Sequence, residues 1–276
     1  MEKNLKFGIS FGLNFKGIKT INDFLHFAHK KELSNVELVA EPPYCIIDNI
    51  SARERKKIKQ LAIDLGLELS VHATFSDINI AAYNEKIRLF SLDIVKDCID
   101  FSYDTNSKIV TVHPGELSAG GHSFPEDVVR NNFNSFKELA LYADEREVII
   151  GYENMPIFPW TQYKECFEPE ALSKVVNEIN LRSLGITWDI GHSNTTEFPQ
   201  TDFLEYFKSK LIHIHIHDNV GYVKGWKDTH LAVGKGNIQW KSLLSTIKEI
   251  NFQGAYILEL DTKSKIDNSI EFLSQI

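Results

Sequence analysis

The chain has 276 residues, 43% hydrophobic and 25% charged, with 30 Lys and Arg against 38 Asp and Glu for a formal net charge of −8. That apolar content suits a globular core and excludes a disordered chain, and no run approaches the ~18 consecutive apolar residues of a membrane span. The acidic balance argues against broad attraction to nucleic acid or anionic lipid, although it leaves room for a local basic site.

Short β-rich runs alternate with helical patterns along the whole chain. KFGIS (6–10) precedes a helical stretch over 21–31. NVELV (35–39) precedes one over 51–65, where Ser51 and Glu54 have the spacing of a capping box. LELSVH (67–72) leads to 85–104, and KIVTVH (108–113) to 125–144. VIIGYE, ending on Glu153, leads to 170–179, and LGITWD (184–189) to 202–208. LIHIHIH (211–217) leads to 241–250, and AYILELD (255–261) to 266–276. A period of 2 or a continuous apolar run, then a period of 3.6, repeated eight times, is the pattern of βα units. Eight such units in a chain near the ~250 residues of a single barrel predict one (β/α)8 domain over 1–276. The structural rival is an open doubly wound sheet. The longest loops, 154–168 and 218–238, follow the fifth and seventh strands, on the face where barrel active sites sit.

Three scattered cysteines, Cys45, Cys98 and Cys166, form no CxxC pair. They make neither a disulfide framework nor a cysteine-rich zinc site. The first ten residues lack the apolar core of a signal peptide, so the cytoplasm is the expected compartment.

The chemistry collects at the strand ends. The third strand ends in His72, the fourth in His113, the fifth in Glu153, the sixth in Asp189; the seventh carries His215 and the eighth Glu259. Two short pairs join them, Asp189 with His192 and Asp228 with His230. A single His at a strand end is usually a hydrogen-bonded core residue. Six strand ends in one barrel mouth are different, because crowded imidazoles and carboxylates need a cation to hold them. Such donors suit Zn²⁺, Mn²⁺ or Fe²⁺, as one ion or several. Within HIHIHIHD, period 2 puts His213, His215 and His217 on one face. His213 reads as a deep, packed histidine, His215 as the ligand, and His217 as a rim residue that touches substrate. His26, His29 and His122 read as surface residues.

HPG at 113–115, EN at 153–154, DIGH at 189–192, HIHD at 215–218, DTH at 228–230 and LELD at 258–261 together resemble the xylose isomerase-like TIM-barrel superfamily. That group holds both endonuclease IV and many sugar isomerases and epimerases. The endonuclease IV pattern implies a three-metal centre held by His72, His113, Glu153, Asp189, His192, His215, Asp228, His230 and Glu259. The epimerase branch implies one divalent ion, often Mn²⁺, on Glu153, Asp189, His215 and Glu259, with His192 near the substrate.

Two chemistries fit one site. In a sugar or sugar-phosphate isomerase or epimerase, Glu153 and Glu259 trade a proton as base and acid through an enediolate. In an endonuclease IV-like zinc phosphodiesterase, two ions clamp the attacking and leaving oxygens. The complete donor set favours the phosphodiesterase. The loops favour the sugar: ELVAEPPYCIIDN after the second strand is acidic and carries no Arg, Lys or Gln, poor chemistry for an opened DNA duplex. Phe75 reads as pocket wall. Lys224, Trp226 and Lys227 form a lid that closes on a sugar or contacts phosphate, or an ordinary mobile loop. Phe158, Trp160 and Tyr163 offer an apolar wall for a sugar ring or an oligomer contact. GKGNI (234–238) offers backbone N–H groups to a phosphate, or is a plain turn. The small-sugar isomerase or epimerase is the preferred expectation, with no membrane partner, a homo-oligomer allowed and DNA disfavoured.

Overall fold

The alternation of strand and helix closes into a barrel. The computed structural model describes residues 6–12, 15–157, 162–222 and 228–276. Phe158, Trp160, Lys224, Trp226 and Lys227, all expected near the substrate, lie outside the described residues. Eight parallel strands, β1 (Lys6–Phe11), β2 (Asn35–Val39), β3 (Glu68–His72), β4 (Ile109–Val112), β5 (Ile149–Glu153), β6 (Leu184–Asp189), β7 (Leu211–Ile216) and β8 (Ala255–Leu258), pair in chain order, and β8 returns to β1. The open-sheet rival is therefore excluded. The helices are α1 (Ile21–Lys30), α2 (Ala52–Asp64), α3 (Glu85–Thr105), α4 (Pro125–Asp144), α5 (Lys164–Phe167), α6 (Pro169–Ile179), α7 (Ile190–Asn194), α8 (Gln200–Phe207), α9 (Trp240–Glu249) and α10 (Lys263–Leu273). The Ser51–Glu54 capping box is present at the start of α2. No helix among the described residues is long and apolar enough to cross a membrane.

The outward faces of the strands, with Val36, Leu38, Val71, Val110, Ile150, Ile186, Ile214 and Ile216 all buried, join the helices in one apolar shell. The inward faces are polar. Contacts that cross the barrel identify them: Glu37 on β2 meets His213 on β7, and the Thr111 hydroxyl on β4 meets the Thr187 hydroxyl on β6 at 3.1 Å. A barrel interior is ordinarily filled by branched apolar side chains; here that space holds hydroxyls, imidazoles and carboxylates. Gly151 keeps the layer packable, because a Cβ there would sit 2.1 Å from Thr187 Oγ1.

The loop after β7 is organised by Asp218, whose side chain is fully buried. Its carboxylate accepts the backbone N–H groups of Asn219 (2.9 Å) and Gly234 (3.0 Å) and the Trp240 indole N–H (2.9 Å), with Ile238 N–H at 3.4 Å. Of the GKGNI amides, those of Gly234 and Ile238 go to this carboxylate and those of Lys235 and Asn237 to the Ala232 and Asn219 carbonyls at 3.0 and 2.9 Å, which favours the plain turn of the two readings. The expectation for Tyr163 is corrected: it packs with Ala81, Val128 and Cys166 in a small separate cluster and does not line the barrel mouth.

Asp218→Ala leaves these buried donors without an acceptor, at about 1 kcal/mol or more each. The expected loss is about 3–5 kcal/mol of stability by denaturant unfolding. A loss within the ~0.5 kcal/mol of an ordinary surface substitution would remove the anchoring role from Asp218.

Candidate metal centre

The structure brings all nine predicted donors to the C-terminal mouth, and adds Glu37 and His217. They fall into overlapping groups whose donor atoms lie within 4.8 Å of one another: His72, His113 and Glu153; Glu153, Asp189, His215 and Glu259; His192, His217, Asp228 and His230; and, deeper, Glu37, His213 and His215. Glu153, at the end of β5 and fully buried, is the hub. Its Oε2 meets His72 Nε2 at 3.2 Å and His113 Nε2 at 3.1 Å, and its Oε1 meets His215 Nδ1 at 3.0 Å. His215 Nδ1 also lies 3.3 Å from Glu259 Oε1. One imidazole nitrogen therefore stands between the two carboxylates singled out as acid and base.

Local structure aims each ring. His72 Nδ1 donates to the Ala73 carbonyl, His192 Nδ1 to the Asn154 carbonyl and His230 Nδ1 to the Glu259 carbonyl, each at 2.9 Å. In all three, Nε2 is left to face the carboxylates. His215 is the reverse case: the Glu37 carboxylate, 3.1 Å from Nε2, turns Nδ1 toward Glu153 and Glu259. Tying one nitrogen to fix the other is how metal-binding imidazoles are oriented. The DIGH sequence uses helix capping to the same end. Asp189 is the N-cap of α7, and its Oδ1 accepts the His192 backbone N–H at 2.6 Å. The cap places the acid and the imidazole three residues later on one side. Asn154 staples β5 to β6, donating to the Asp189 carbonyl (2.9 Å) and accepting the Asp189 N–H (2.8 Å).

His217 departs from its expected place. It has no solvent exposure and its Nε2 faces Asp189 Oδ1 at 3.1 Å, so the rim position and substrate contact are corrected. His230 stacks on its ring at 3.7 Å and Gly191 packs against it. His213 is the packed residue expected, bonded to Glu37 at 3.1 Å, while His26, His29 and His122 are exposed. The signal for Glu37 is an acid inside the apolar run NVELV. Asn154 and Glu41 carry no such signal in the sequence. Glu41 accepts the backbone N–H groups of Phe75 (2.8 Å) and Ser76 (2.7 Å), so one acid of the loop after β2 sets the position of Phe75. The Phe75 ring stacks on His113 at 4.9 Å and lines a mouth cavity of about 540 Å³, together with His192, Asp228, His230 and Glu259.

The donor set fits a divalent ion. Asp189 Oδ2, Asp228 Oδ1 and His217 Nδ1 are buried without a hydrogen-bond partner, and a cation would satisfy the two carboxylate oxygens. Burial alone would push the imidazoles toward neutrality, yet neighbouring carboxylates outweigh it. Glu153 holds His72, and Asp228 holds His230, at about 9. His192, beside Asp189 and Asp228, and His215, beside Glu259, Glu37 and Glu153, also lie well above the usual range. Burial opposes ionisation of Glu153, Asp189 and Asp228 as well, and their histidine partners more than offset it. His113 goes the other way, lowered by burial.

Metal binding must therefore displace imidazolium protons. Below a raised pKa of about 9 the protons are present and compete, so Zn²⁺ affinity should climb between about pH 6 and 8, by about tenfold per pH unit for each proton displaced. Calorimetry in buffers of different ionisation enthalpy should show proton release. A pH-independent affinity would contradict this charge assignment.

The model of the family described as xylose isomerase-like TIM barrel matches residues 25–276. An uncharacterised protein of Methanocaldococcus jannaschii is 30% identical over 274 residues, 99% of each chain. A crystal structure of a D-tagatose 3-epimerase-like protein superposes with a TM-score of 0.85 at 31% identity, over 98% of this chain and 96% of that one. A D-psicose 3-epimerase of Enterocloster bolteae is 24% identical over 177 residues, 60% of this chain and 55% of the relative. With nearly the whole barrel matched and the strand-end donors in place, the chain belongs to the xylose isomerase-like TIM-barrel family.

Proposed function

We propose that the protein is a divalent-metal-dependent isomerase or epimerase of a small sugar or sugar phosphate. The observation that carries this reading is the meeting of Glu153 and Glu259, from β5 and the end of β8, on either side of His215 Nδ1 at 3.0 and 3.3 Å. Likeness to the D-tagatose 3-epimerase-like structure and to the D-psicose 3-epimerase supports it.

Glu153, Asp189, His215 and Glu259 would hold the ion, Zn²⁺ or Mn²⁺. Bound there, the ion supplies Lewis acidity toward a carbonyl and its neighbouring hydroxyl, which acidifies the carbon-bound proton. One carboxylate removes that proton from one face of the carbon, giving an enediolate, and the other returns a proton. Return to the opposite face inverts the centre; return to the adjacent carbon isomerises the sugar. The two groups differ in access. The Glu153 side chain is 1% exposed and held by three imidazoles, whereas that of Glu259 is 14% exposed and lines the cavity. Glu259 is thus the group that exchanges its proton with water. A cavity of about 540 Å³ has room for a monosaccharide, with Phe75 as an apolar wall.

The second reading, an endonuclease IV-like zinc phosphodiesterase, is favoured by the additional donor groups around His72, His113 and around His192, Asp228 and His230. The mouth weighs against it. Among the described lining residues the one Lys or Arg is Lys265, paired with Asp261 at 2.8 Å, beside the acidic Glu116, Asp228 and Glu259. Phosphodiester backbones are gripped by cations.

Incubation with ketohexoses in D₂O and Mn²⁺ should give proton exchange at the inverted carbon by NMR. Glu153→Gln and Glu259→Gln should each lower it by about 10²-fold or more, the range of a lost general base. Exchange retained in either variant refutes the paired role. Turnover of abasic-site DNA with Zn²⁺, in the absence of sugar exchange, would reverse the choice between the two readings.

A further inference from the structure

We propose that Asp261 and Lys265 form a specificity-determining pair, which grips two neighbouring hydroxyls at the end of the sugar away from its carbonyl and turns a phosphate ester away. The inference rests on the sugar reading of the same mouth and names the class of sugar it admits, a neutral one. Both residues line the mouth cavity with Glu259, and neither belongs to the groups of metal donors. Lys265 Nζ lies 2.8 Å from Asp261 Oδ1, and the two side chains are 30% and 33% exposed. Asp261 follows Glu259 by two residues, so the pair stands further along the chain than the proton-transferring carboxylate, where the far end of a bound sugar comes to lie.

The place of Lys265 needs an explanation. It lies in the first turn of α10, where the helix dipole favours acids and opposes cations, and that turn holds no acid. The pair is held from behind all the same. Thr262, the N-cap, accepts the Lys265 backbone N–H on its hydroxyl at 3.3 Å. The Asp261 carbonyl accepts the Lys16 N–H at 2.8 Å, where the pairing of β8 with β1 continues past the strand ends. Lys265 Nζ donates to the His230 carbonyl at 2.9 Å. A lysine ammonium carries three donors, so at least one remains for a ligand. Asp261 Oδ1 is buried and, beyond this ion pair, has no hydrogen-bond partner.

A fixed donor beside a fixed acceptor matches a vicinal diol. One hydroxyl accepts from Nζ and its neighbour donates to the carboxylate. The pair is neutral as a unit, so it binds a polyol without attracting an anion. Lys265 is the one Lys or Arg among the described lining residues, and Asp261 cancels it. A phosphate ester would meet Asp261, Glu116, Asp228 and Glu259 around the same cavity, and repulsion of this kind discriminates as well as a good contact does. Without Asp261, the same lysine would be an ordinary phosphate grip.

Ligand-observed NMR on the Zn²⁺-loaded protein tests it, with D-fructose, D-psicose and D-tagatose, their 6-phosphates and their 6-deoxy analogues as probes. In the wild type each modification should weaken binding by about tenfold or more, the effect of losing one hydrogen bond to a charged group. Asp261→Asn leaves Lys265 without its counter-ion. It should weaken the free sugar and strengthen the ester, moving their affinity ratio about tenfold or more toward the ester. An unchanged ratio in this variant overturns the proposal. So does equal binding of free sugar and ester by the wild type, a result that decides the matter even if the variant does not fold. Proton exchange without this discrimination would count against the pair alone, and discrimination without proton exchange against the isomerase reading alone. A wild type that binds none of the sugars would remove both.

Discussion

Everything in this barrel is arranged around one buried anion. Glu153 is fully buried at the end of β5, and its carboxylate is met by imidazoles from β3, the end of β4 and β7. An isolated carboxylate could not be kept ionised at that depth. With its partners present the desolvation cost and the attraction roughly cancel, whereas removing one partner of a buried pair costs about 3–5 kcal/mol. The cluster therefore adds little to net stability and constrains the chain severely. Each strand must end at the right height, in the right register, with the right ring nitrogen turned inward. Stability comes instead from the apolar shell between strands and helices, in which Val36, Val110, Ile150, Ile186 and Ile214 are fully buried.

Strand alternation is what allows both demands to be met at once. Successive side chains point to opposite faces, so an isoleucine of β7 packs outward against the helices while the histidine beside it points into the barrel. The inward layers then form a ladder of dependence. Ser70 and His213 bond to Glu37, Glu37 fixes His215, and His215 reaches both Glu153 and Glu259. Backbone carbonyls do the same work for His72, His192 and His230. Rotamers held from behind in this way keep a site in place without substrate.

What could be read in the amino-acid sequence followed from periodicity. The eight strands, the parallel barrel and the strand-end donors are all consequences of period 2 giving way to period 3.6. Depth was not legible. Period 2 put His213, His215 and His217 on one face, but only the path of the chain after β7 shows His217 to be as enclosed as the other two. The pairing of Glu37 was hidden for the same reason: its partners His213 and His215 are about 180 residues away in sequence and 3.1 Å away in space. The short helix α7 escaped notice because five residues are too few for a 3.6 period. The GKGNI segment left two readings open because a glycine-rich turn shows which N–H groups are available, and not that a buried Asp218 already accepts two of them.

The net charge of −8 acquires a different meaning at the mouth. Four of the site carboxylates, Glu37, Glu153, Asp189 and Asp228, are held ionised, and four imidazoles, His72, His192, His215 and His230, are held protonated. Among these eight groups each carboxylate is met by imidazoles, so the anions do not stand uncompensated. A divalent ion would enter by exchange, displacing protons from rings already turned toward it. Each further ion must displace further protons from the same connected network, since Glu153 and Asp189 both touch more than one ring. Sites that share a carboxylate cannot fill independently, so occupancy of one changes the proton inventory of the next. The number of ions held would thus depend on pH and on coupling through Glu153 and Asp189, and not on a count of donors alone. Nine donors on a sequence look like a three-ion centre; in one network of shared protons the first ion bound would set the terms for the rest.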